Sequence, residues 1–184
     1  MRKLIFLVAC MIICDQALSQ DRPQVVFAYD NIEIPIYHNS VGDEIDYRVM
    51  QDLIHEVFFG AEVLDKSPLR FKVGITTVIS STPAPVIVGW IDKSMCGVYS
   101  RYYYDENKRP YIKLYSRPDA GSDFSKVYES VPAQCGLLTV IDYAADRWLW
   151  LKVMFYLNDE LYVGWVDRYC DNVYDSCEGG SSAS

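Results

Sequence analysis

Two stretches of the chain are nearly alike: IVGWIDKSMCGVY at residues 87–99 and YVGWVDRYCDNVY at residues 162–174. They lie 75 residues apart without a gap, and each contains V-G-W-x-D followed by V-Y. Similarity at a fixed offset indicates that one supersecondary unit occurs twice. We therefore interpret most of the chain as two copies of one unit of about 70–80 residues.

Weaker similarity extends the repeat upstream of V-G-W-x-D. The pairs of matching segments are 71–73 with 150–153, 60–65 with 136–142, and 35–37 with 113–115. In the first copy, Phe71 is aligned with Trp150, so the first copy lacks the leading Trp. The repeat therefore covers nearly all residues after the N-terminal segment.

The clearest strand pattern is WLWLKVMFYL at residues 148–157, where side chains of two kinds alternate. Alternation with a period of two is typical of a β-strand with one buried face. Leu149, Leu151, Val153, Phe155 and Leu157 share the aliphatic and Phe face, and Trp148, Trp150, Lys152, Met154 and Tyr156 share the other. Asn158 and Asp159 then predict a hairpin turn before residues 161–166. Short runs rich in Val, Ile, Tyr and Phe elsewhere predict an all-β protein.

One segment fits strands less well. Residues 44–58, EIDYRVMQDLIHEVF, place apolar side chains at helical spacing. A short helix in the first copy and a pair of strands that matches this spacing are equally compatible with the pattern.

The pattern W-x-K-V, a turn and then G-W-V resembles the bacterial SH3-like family. It occurs at residues 150–153 with Gly164, Trp165 and Val166, and in a degenerate form around Gly89 and Trp90. The resemblance implies two small, partly open barrels in tandem, at residues 20–104 and 105–177, with residues 105–110 as linker or hairpin turn. It also implies binding to peptidoglycan or peptide-like ligands. Exported members are commonly fused to a wall hydrolase, and no catalytic domain is recognisable in this chain.

Residues 1–19 have the order of a secretory signal peptide. Arg2 and Lys3 precede an apolar run at residues 4–14, and the small-residue stretch Ala-Leu-Ser ends at Ser19. The run is too short to span a membrane, which takes roughly 20 residues. We expect export to the periplasm or the cell surface, as a free protein or as a lipoprotein acylated at Cys10. No other apolar run approaches membrane-spanning length, and residues 178–184, EGGSSAS, are predicted to be disordered.

The formal charge of −8, with acidic and basic residues interspersed, argues against a nucleic acid partner. Four cysteines follow the signal: Cys96, Cys135, Cys170 and Cys177. An even number in an exported chain predicts disulfides, with Cys170–Cys177 as the local bridge and Cys96–Cys135 as the other. Free thiols are the alternative. No C-x-x-C pair predicts a metal site, and we expect no cofactor.

The chain shows no recognisable catalytic constellation. Its two histidines, His38 and His55, lie far in sequence from every cysteine and are expected in loops. The G-x-S-x-G, H-E-x-x-H and phosphate-binding glycine motifs are missing. We therefore predict that the protein is not an enzyme.

Aromatic residues make up 14% of the chain and supply the candidate ligand-binding side chains. The candidates are Trp148, Trp150 and Tyr156, predicted to point away from the second core, and Tyr102, Tyr103 and Tyr104 between the copies. They form either a groove that stacks on a sugar or peptide, or the contact between the two barrels. The motif residues are assigned structural roles: Gly89, Trp90, Asp92, Gly164, Trp165 and Asp167.

The sequence as a whole predicts an exported, non-catalytic binding module for a cell-wall glycopeptide or a peptide. The alternative is an assembly protein that docks to another envelope protein through its aromatic face. A hydrolase with an unrecognised site is the third class.

Overall fold

The structure is a computed structural model that describes residues 22–27, 32–50, 59–77, 87–128, 137–145, 149–167 and 169–170. Within these residues it contains fourteen strands and one 3₁₀ helix, Lys93–Met95, so the predicted all-β class is confirmed. The strands are β1 (Gln24–Phe27), β2 (Glu33–Tyr37), β3 (Ile45–Met50), β4 (Phe59–Lys66), β5 (Arg70–Thr77), β6 (Ile87–Asp92), β7 (Cys96–Ser100), β8 (Tyr103–Tyr104), β9 (Pro110–Tyr115), β10 (Phe124–Tyr128), β11 (Leu137–Ala145), β12 (Leu149–Leu157), β13 (Glu160–Val166) and β14 (Tyr169–Cys170).

The strands form one open sheet in the order β10-β9-β13-β12-β11-β7-β1-β4-β5-β6-β2-β3. The short strands β8 and β14 pair with β9 and β7, beside this path. The order β3-β2-β6-β5-β4 in the first half matches β10-β9-β13-β12-β11 in the second. The two halves therefore repeat one pairing scheme, although the separation into two barrels stays a prediction.

The halves meet at β1 and β7. Strand β7 pairs with β1 through Cys96 and Gly97, and with β11 through residues 97–99. Its last residues, Tyr99 and Ser100, also pair with β14. The predicted boundary between residues 104 and 105 falls in a hairpin, because β8 pairs with β9 across residues 105–109. The segment predicted as linker or turn is a hairpin turn.

The glycine of V-G-W-x-D marks a close crossing of strands in both halves. A Cβ atom on Gly164 would lie 2.9 Å from Leu114 Cβ and 3.3 Å from the Tyr115 carbonyl oxygen. A Cβ atom on Gly89 would overlap Ile36 in the same way. Because Gly164 and Gly89 have no side chain, β9 can pack closely against β13, and β2 can pack closely against β6.

One hydrophobic core runs through both halves of the sheet. Its fully buried members include Phe71, Ile91, Leu151 and Val153. The Phe71 ring lies 6.2 Å from that of Tyr143, which belongs to the other half. Next to it, the Lys66 ammonium donates hydrogen bonds to the Asp142 carboxylate at 2.7 Å and to the Tyr143 carbonyl at 2.8 Å.

Of the two alternatives for residues 44–58, a helix or a pair of strands, the helix is wrong over residues 45–50, which form β3. These residues pair with β2 in antiparallel register, so their backbone groups are satisfied across the sheet rather than along a helix. Of the apolar residues at helical spacing here, Val49 is buried and Ile45 is 37% exposed, so they do not share one buried face. Residues 51–58 lie outside the described residues.

The alignment of Phe71 with Trp150 is also wrong. Lys72 pairs with Trp90, and Lys152 pairs with Trp165, so these two lysines are equivalent. The residue equivalent to Trp150 is therefore Arg70, one position earlier than the sequence comparison placed it.

Cys96 is a buried free cysteine, so the predicted Cys96–Cys135 bridge is not present at Cys96. Burial raises the pKa of its thiol far above the ordinary value, since the thiolate would lose its solvation. Cys135, Cys177 and the side chain of Cys170 lie outside the described residues, as do the signal segment with Cys10 and residues 178–184. Among the described residues, no helix has the length and apolar character needed to cross a membrane.

Candidate functional site

The predicted ligand-binding residues do not lie on one surface. Tyr156 is 70% exposed, as expected, but Trp150 is only 3% exposed, so its predicted outward position is wrong. The Trp150 ring packs edge-on against Tyr115, with 5.0 Å between centroids. Strand β9 crosses the hairpin at Gly164 and places Tyr115 over this ring. Trp148 lies outside the described residues.

The three consecutive tyrosines have different environments. Tyr102 is half-buried and packs against the core, whereas Tyr104 is 62% exposed. Tyr103 stacks on Tyr111 at 5.7 Å, and its hydroxyl donates to both carboxylate oxygens of Asp167, at 2.8 and 2.7 Å. Because β8 pairs with β9, this group belongs to the second half.

The aspartate of V-G-W-x-D accepts a tyrosine hydroxyl in both halves. Tyr37 donates to Asp92 at 3.2 Å, and Tyr115 donates to Asp167 at 3.3 Å. Partial burial, followed by the charge and hydrogen bond of Asp92, raises the pKa of Tyr37 above its ordinary value. The aspartates therefore hold β2 and β9 in place, which is a structural role.

The largest difference between the halves lies at the Arg70 and Trp150 positions. The Arg70 guanidinium lies 3.4 Å above the Tyr37 ring and donates to Asp92 at 2.9 Å. It also donates to the carbonyls of Asn39 and Gly42, so it anchors the loop between β2 and β3. In the second half, Trp150 takes the place of Arg70. Its indole ring makes no such hydrogen bonds to the loop between β9 and β10 among the described residues.

The second half carries an aromatic surface that the repeat comparison did not single out. Strands β9 and β10 pair in register as Tyr111 with Tyr128, Lys113 with Lys126, and Tyr115 with Phe124. Directly opposed residues of an antiparallel pair point to the same side. We name this side the aromatic–lysine face, and its members are Tyr103, Tyr111, Lys113, Tyr115, Phe124, Lys126 and Tyr128. Tyr111 and Tyr115 are buried, and Phe124, Lys126 and Tyr128 are its exposed members.

The two lysines of the aromatic–lysine face lie over its rings. Lys113 Nζ is 4.1 Å from the Phe124 centroid, 4.5 Å from that of Tyr115 and 5.4 Å from that of Tyr103. Lys126 Nζ is 4.9 Å from the Tyr111 centroid. Distances below about 6 Å are typical of cation–π contacts. Within the described residues, neither ammonium has a carboxylate at ion-pair distance.

A groove of about 390 Å³ opens at one end of this face. Strand β13 pairs with β9 only at Trp165 and Tyr115, so the first residues of β13 diverge from β9. The walls include Leu114, Tyr115 and Phe124 on one side and Leu161, Tyr162 and Val163 on the other. Tyr162 stacks on Phe155, and its hydroxyl donates to Glu160, which raises the Tyr162 pKa.

The rim of the groove is apolar and accessible. Phe124 is 45% exposed, and Leu161 and Val163 are 48% and 47% exposed. Leu161 pairs with Tyr156 across the β12–β13 hairpin, so Tyr156, an exposed residue of the predicted set, adjoins the groove. A contiguous apolar rim beside cations and hydroxyl groups is typical of a binding surface.

The sequence did contain a signal for the aromatic–lysine face. YIKLY at residues 111–115 and FSKVY at residues 124–128 share the pattern aromatic-x-Lys-x-aromatic. With a period of two, this pattern places three side chains of each strand on one face. This pattern is independent of the V-G-W-x-D repeat, whose residues hold the crossing strands, and it occurs in the second copy at neighbouring strands.

Of the two histidines, His38 lies in the described part of the chain, beside an acidic residue. His38 Nδ1 lies 3.1 Å from an Asp46 carboxylate oxygen in an exposed loop, and His55 is outside the described part. No group of three or more His, Cys, Asp or Glu side chains there could hold a metal ion.

No protein-family model, curated protein or solved structure matches the chain.

Proposed function

We propose that the protein is an exported, non-catalytic binding module that recognises a cell-wall glycopeptide or a peptide in the bacterial envelope. The observation that carries this proposal is the aromatic–lysine face with its adjoining groove. Rings and hydroxyl groups line the groove, and the Lys113 ammonium lies 4.1 Å from the centroid of Phe124 in its wall. Such a combination suits a ligand that has flat or apolar units and polar groups in alternation.

The dimensions of the groove support a ligand of several units. A volume of about 390 Å³ lies in the range of ligand pockets, roughly 300–1,000 Å³. The accessible ring of Phe124 can stack on a sugar or on a peptide side chain. Ser116, Asp123 and Ser125 bring polar groups to the same groove. The bacterial SH3-like resemblance supports the same ligand class and an envelope location.

The alternative is an assembly protein that docks to another envelope protein through this side of the molecule. The observation in its favour is the apolar strip of Tyr156, Leu161 and Val163, each close to half exposed or more. Apolar residues clustered on a surface commonly mark protein contacts. Both functions use the same surface and differ in the partner.

The test is sedimentation of the purified protein with isolated peptidoglycan. We expect the native protein to pellet with the wall and a Phe124→Ala, Tyr156→Ala variant to remain in solution. The matched control is Val41→Ala, Leu69→Ala, which removes two exposed side chains from the first half, 72% and 75% exposed. Circular dichroism confirms that both variants are folded.

Three results would contradict the proposal or redirect it. If the native protein does not pellet, wall binding is excluded, and co-purification of an envelope protein would favour the assembly function. If both variants pellet equally well, the binding surface lies elsewhere. New products in wall fragments incubated with the native protein would show that it is a hydrolase.

A further inference from the structure

Strand β10 forms one end of the sheet. Among the described residues it pairs with β9 on one side, and no strand pairs with it on the other. Its five residues pair with β9 without a bulge, so its outer edge is straight and presents backbone N–H and C=O groups. An edge of this kind can accept a further strand.

The charges beside this edge are not neutralised within the described protein. Lys113 and Lys126 are directly opposed on one face, and like charges in that position destabilise a sheet. At the other end of the sheet, on β3, Arg48 has Glu33 as its ion-pair partner at 3.6 Å. Arg109, also near the aromatic–lysine face, is held by Asp105 at 2.8 Å. An anionic partner would therefore relieve the repulsion between Lys113 and Lys126.

The order of side chains along β10 specifies what such a partner carries. Phe124, Lys126 and Tyr128 point to one face, at successive intervals of two residues. A strand added to the outer edge would place its own alternate residues directly opposite these three. Charge complementarity requires a carboxylate opposite Lys126, and the rings on either side favour apolar side chains opposite them.

We propose that the outer edge of β10 binds an extended acidic peptide, with Asp or Glu opposite Lys126 and apolar residues two positions before and after it. This proposal rests on the binding function above and names the ligand chemistry. The peptide adds its backbone to the sheet, and its carboxylate neutralises the lysine pair. A backbone ladder supplies affinity, and the three alternate side chains supply specificity.

The probes are fluorescent peptides of the form Thr-Val-Thr-X-Thr-Val-Thr, with X as Glu, Gln or Lys, titrated against the full chain. We expect the Glu peptide to bind about tenfold more tightly than the Gln peptide, because charge-assisted contacts are about twice as strong as neutral ones. The Lys126→Glu variant should lose this preference and favour the Lys peptide. Arg101→Glu makes the same charge change at an exposed position beyond β8, on the far side of β9, and should bind as the native protein does.

A fourth probe separates edge pairing from simple stacking on the rings. Replacing the Thr residues on both sides of Glu by Pro and N-methylating the Glu residue removes the backbone donors that would face β10 in either strand direction, without removing the carboxylate. We expect this peptide to bind at least about tenfold more weakly. Equal binding of the Glu and Gln peptides, an unchanged preference in Lys126→Glu, or undiminished binding of the Pro peptide would each overturn the proposal.

Failure of this inference is distinguishable from failure of the proposed function. If no peptide binds but wall sedimentation depends on Phe124 and Tyr156, the binding function stands and the acidic-peptide ligand is wrong. If Lys126→Thr then causes aggregation, Lys126 serves only to protect the edge from other chains. If the Glu peptide binds and wall does not, the ligand is a protein segment.

Discussion

At the residue scale, the repeated V-G-W-x-D motif is explained by the strand that crosses it. The glycine leaves room for the crossing strand, the tryptophan pairs with a tyrosine of that strand, and the aspartate accepts that tyrosine's hydroxyl. The same three contacts occur in both halves. The motif therefore builds the crossing in each half.

The glycine requirement can be measured directly. We expect Gly164→Ala to lower the free energy of unfolding by about 1–3 kcal/mol, since the new methyl group would displace the backbone and Leu114 side chain of β9. Gly121→Ala is the matched control, because a Cβ there meets only the Asp119 carboxylate, at 3.5 Å. Urea denaturation gives both values. Equal stability of the two variants would show that the crossing tolerates a side chain.

At the element scale, the β12–β13 hairpin is the best example of local sequence determining structure. Asn158 and Asp159 were predicted to form its turn, and both have positive φ, at 51° and 64°. Two such residues in a two-residue loop are typical of a type I′ turn, whose twist matches that of the flanking strands. The register of β12 and β13 then follows without a bulge.

The turn also yields a stabilising change. We expect Asp159→Gly to raise the free energy of unfolding by about 0.5–1 kcal/mol, because Asn-Gly is the preferred pair in this turn and glycine adopts positive φ without strain. Asn158→Ala should act in the opposite direction, since alanine resists the left-handed region. Thermal denaturation distinguishes the two. A destabilised Asp159→Gly variant would mean that a contact of the Asp159 side chain contributes more free energy than the positive φ of Asp159 costs.

At the scale of the whole molecule, the two halves are joined by a shared strand and a shared core. Strand β7 pairs with β1 of the first half and with β11 of the second, and Phe71 lies against Tyr143. The Lys66 ammonium adds a hydrogen bond to Asp142 across the same junction. We therefore expect one cooperative unfolding transition for the protein.

The shared strand predicts how the chain can be divided. Fragment 105–184 follows the boundary expected from the repeat but lacks β7 and β8, which leaves residues 137–139 of β11 and residues 110–111 of β9 without these partners. Fragment 96–184 restores these pairings. We expect the longer fragment to unfold cooperatively in urea, as followed by near-ultraviolet circular dichroism, and the shorter one to show no such transition. A shorter fragment as stable as the longer one would place β7 in the first half alone.

Alternation of side chains with a period of two, together with turn residues, allowed part of the second half of the fold to be predicted. These patterns identified β12, the hairpin turn and the aliphatic face with Leu151 and Val153 in the core. They left β3 open between a helix and a strand, because its apolar spacing also suits a helix, and the pairing with β2 shows a strand. They also misplaced Trp150, because alternation distinguishes two faces of a strand but not whether another strand covers the second face.

The sequence by itself therefore determined the all-β class, the repeat and the hairpin turn, because each is visible in short segments whose pattern does not depend on the fold around them. The tertiary structure alone decided that Trp150 is buried, that Arg70 is its counterpart, and that β7 serves both halves. It also opposed Lys113 and Lys126 on adjacent strands. The first three features depend on strand crossings and pairing between segments distant in sequence, and the lysine pair depends on the register of β9 with β10. No single segment encodes either.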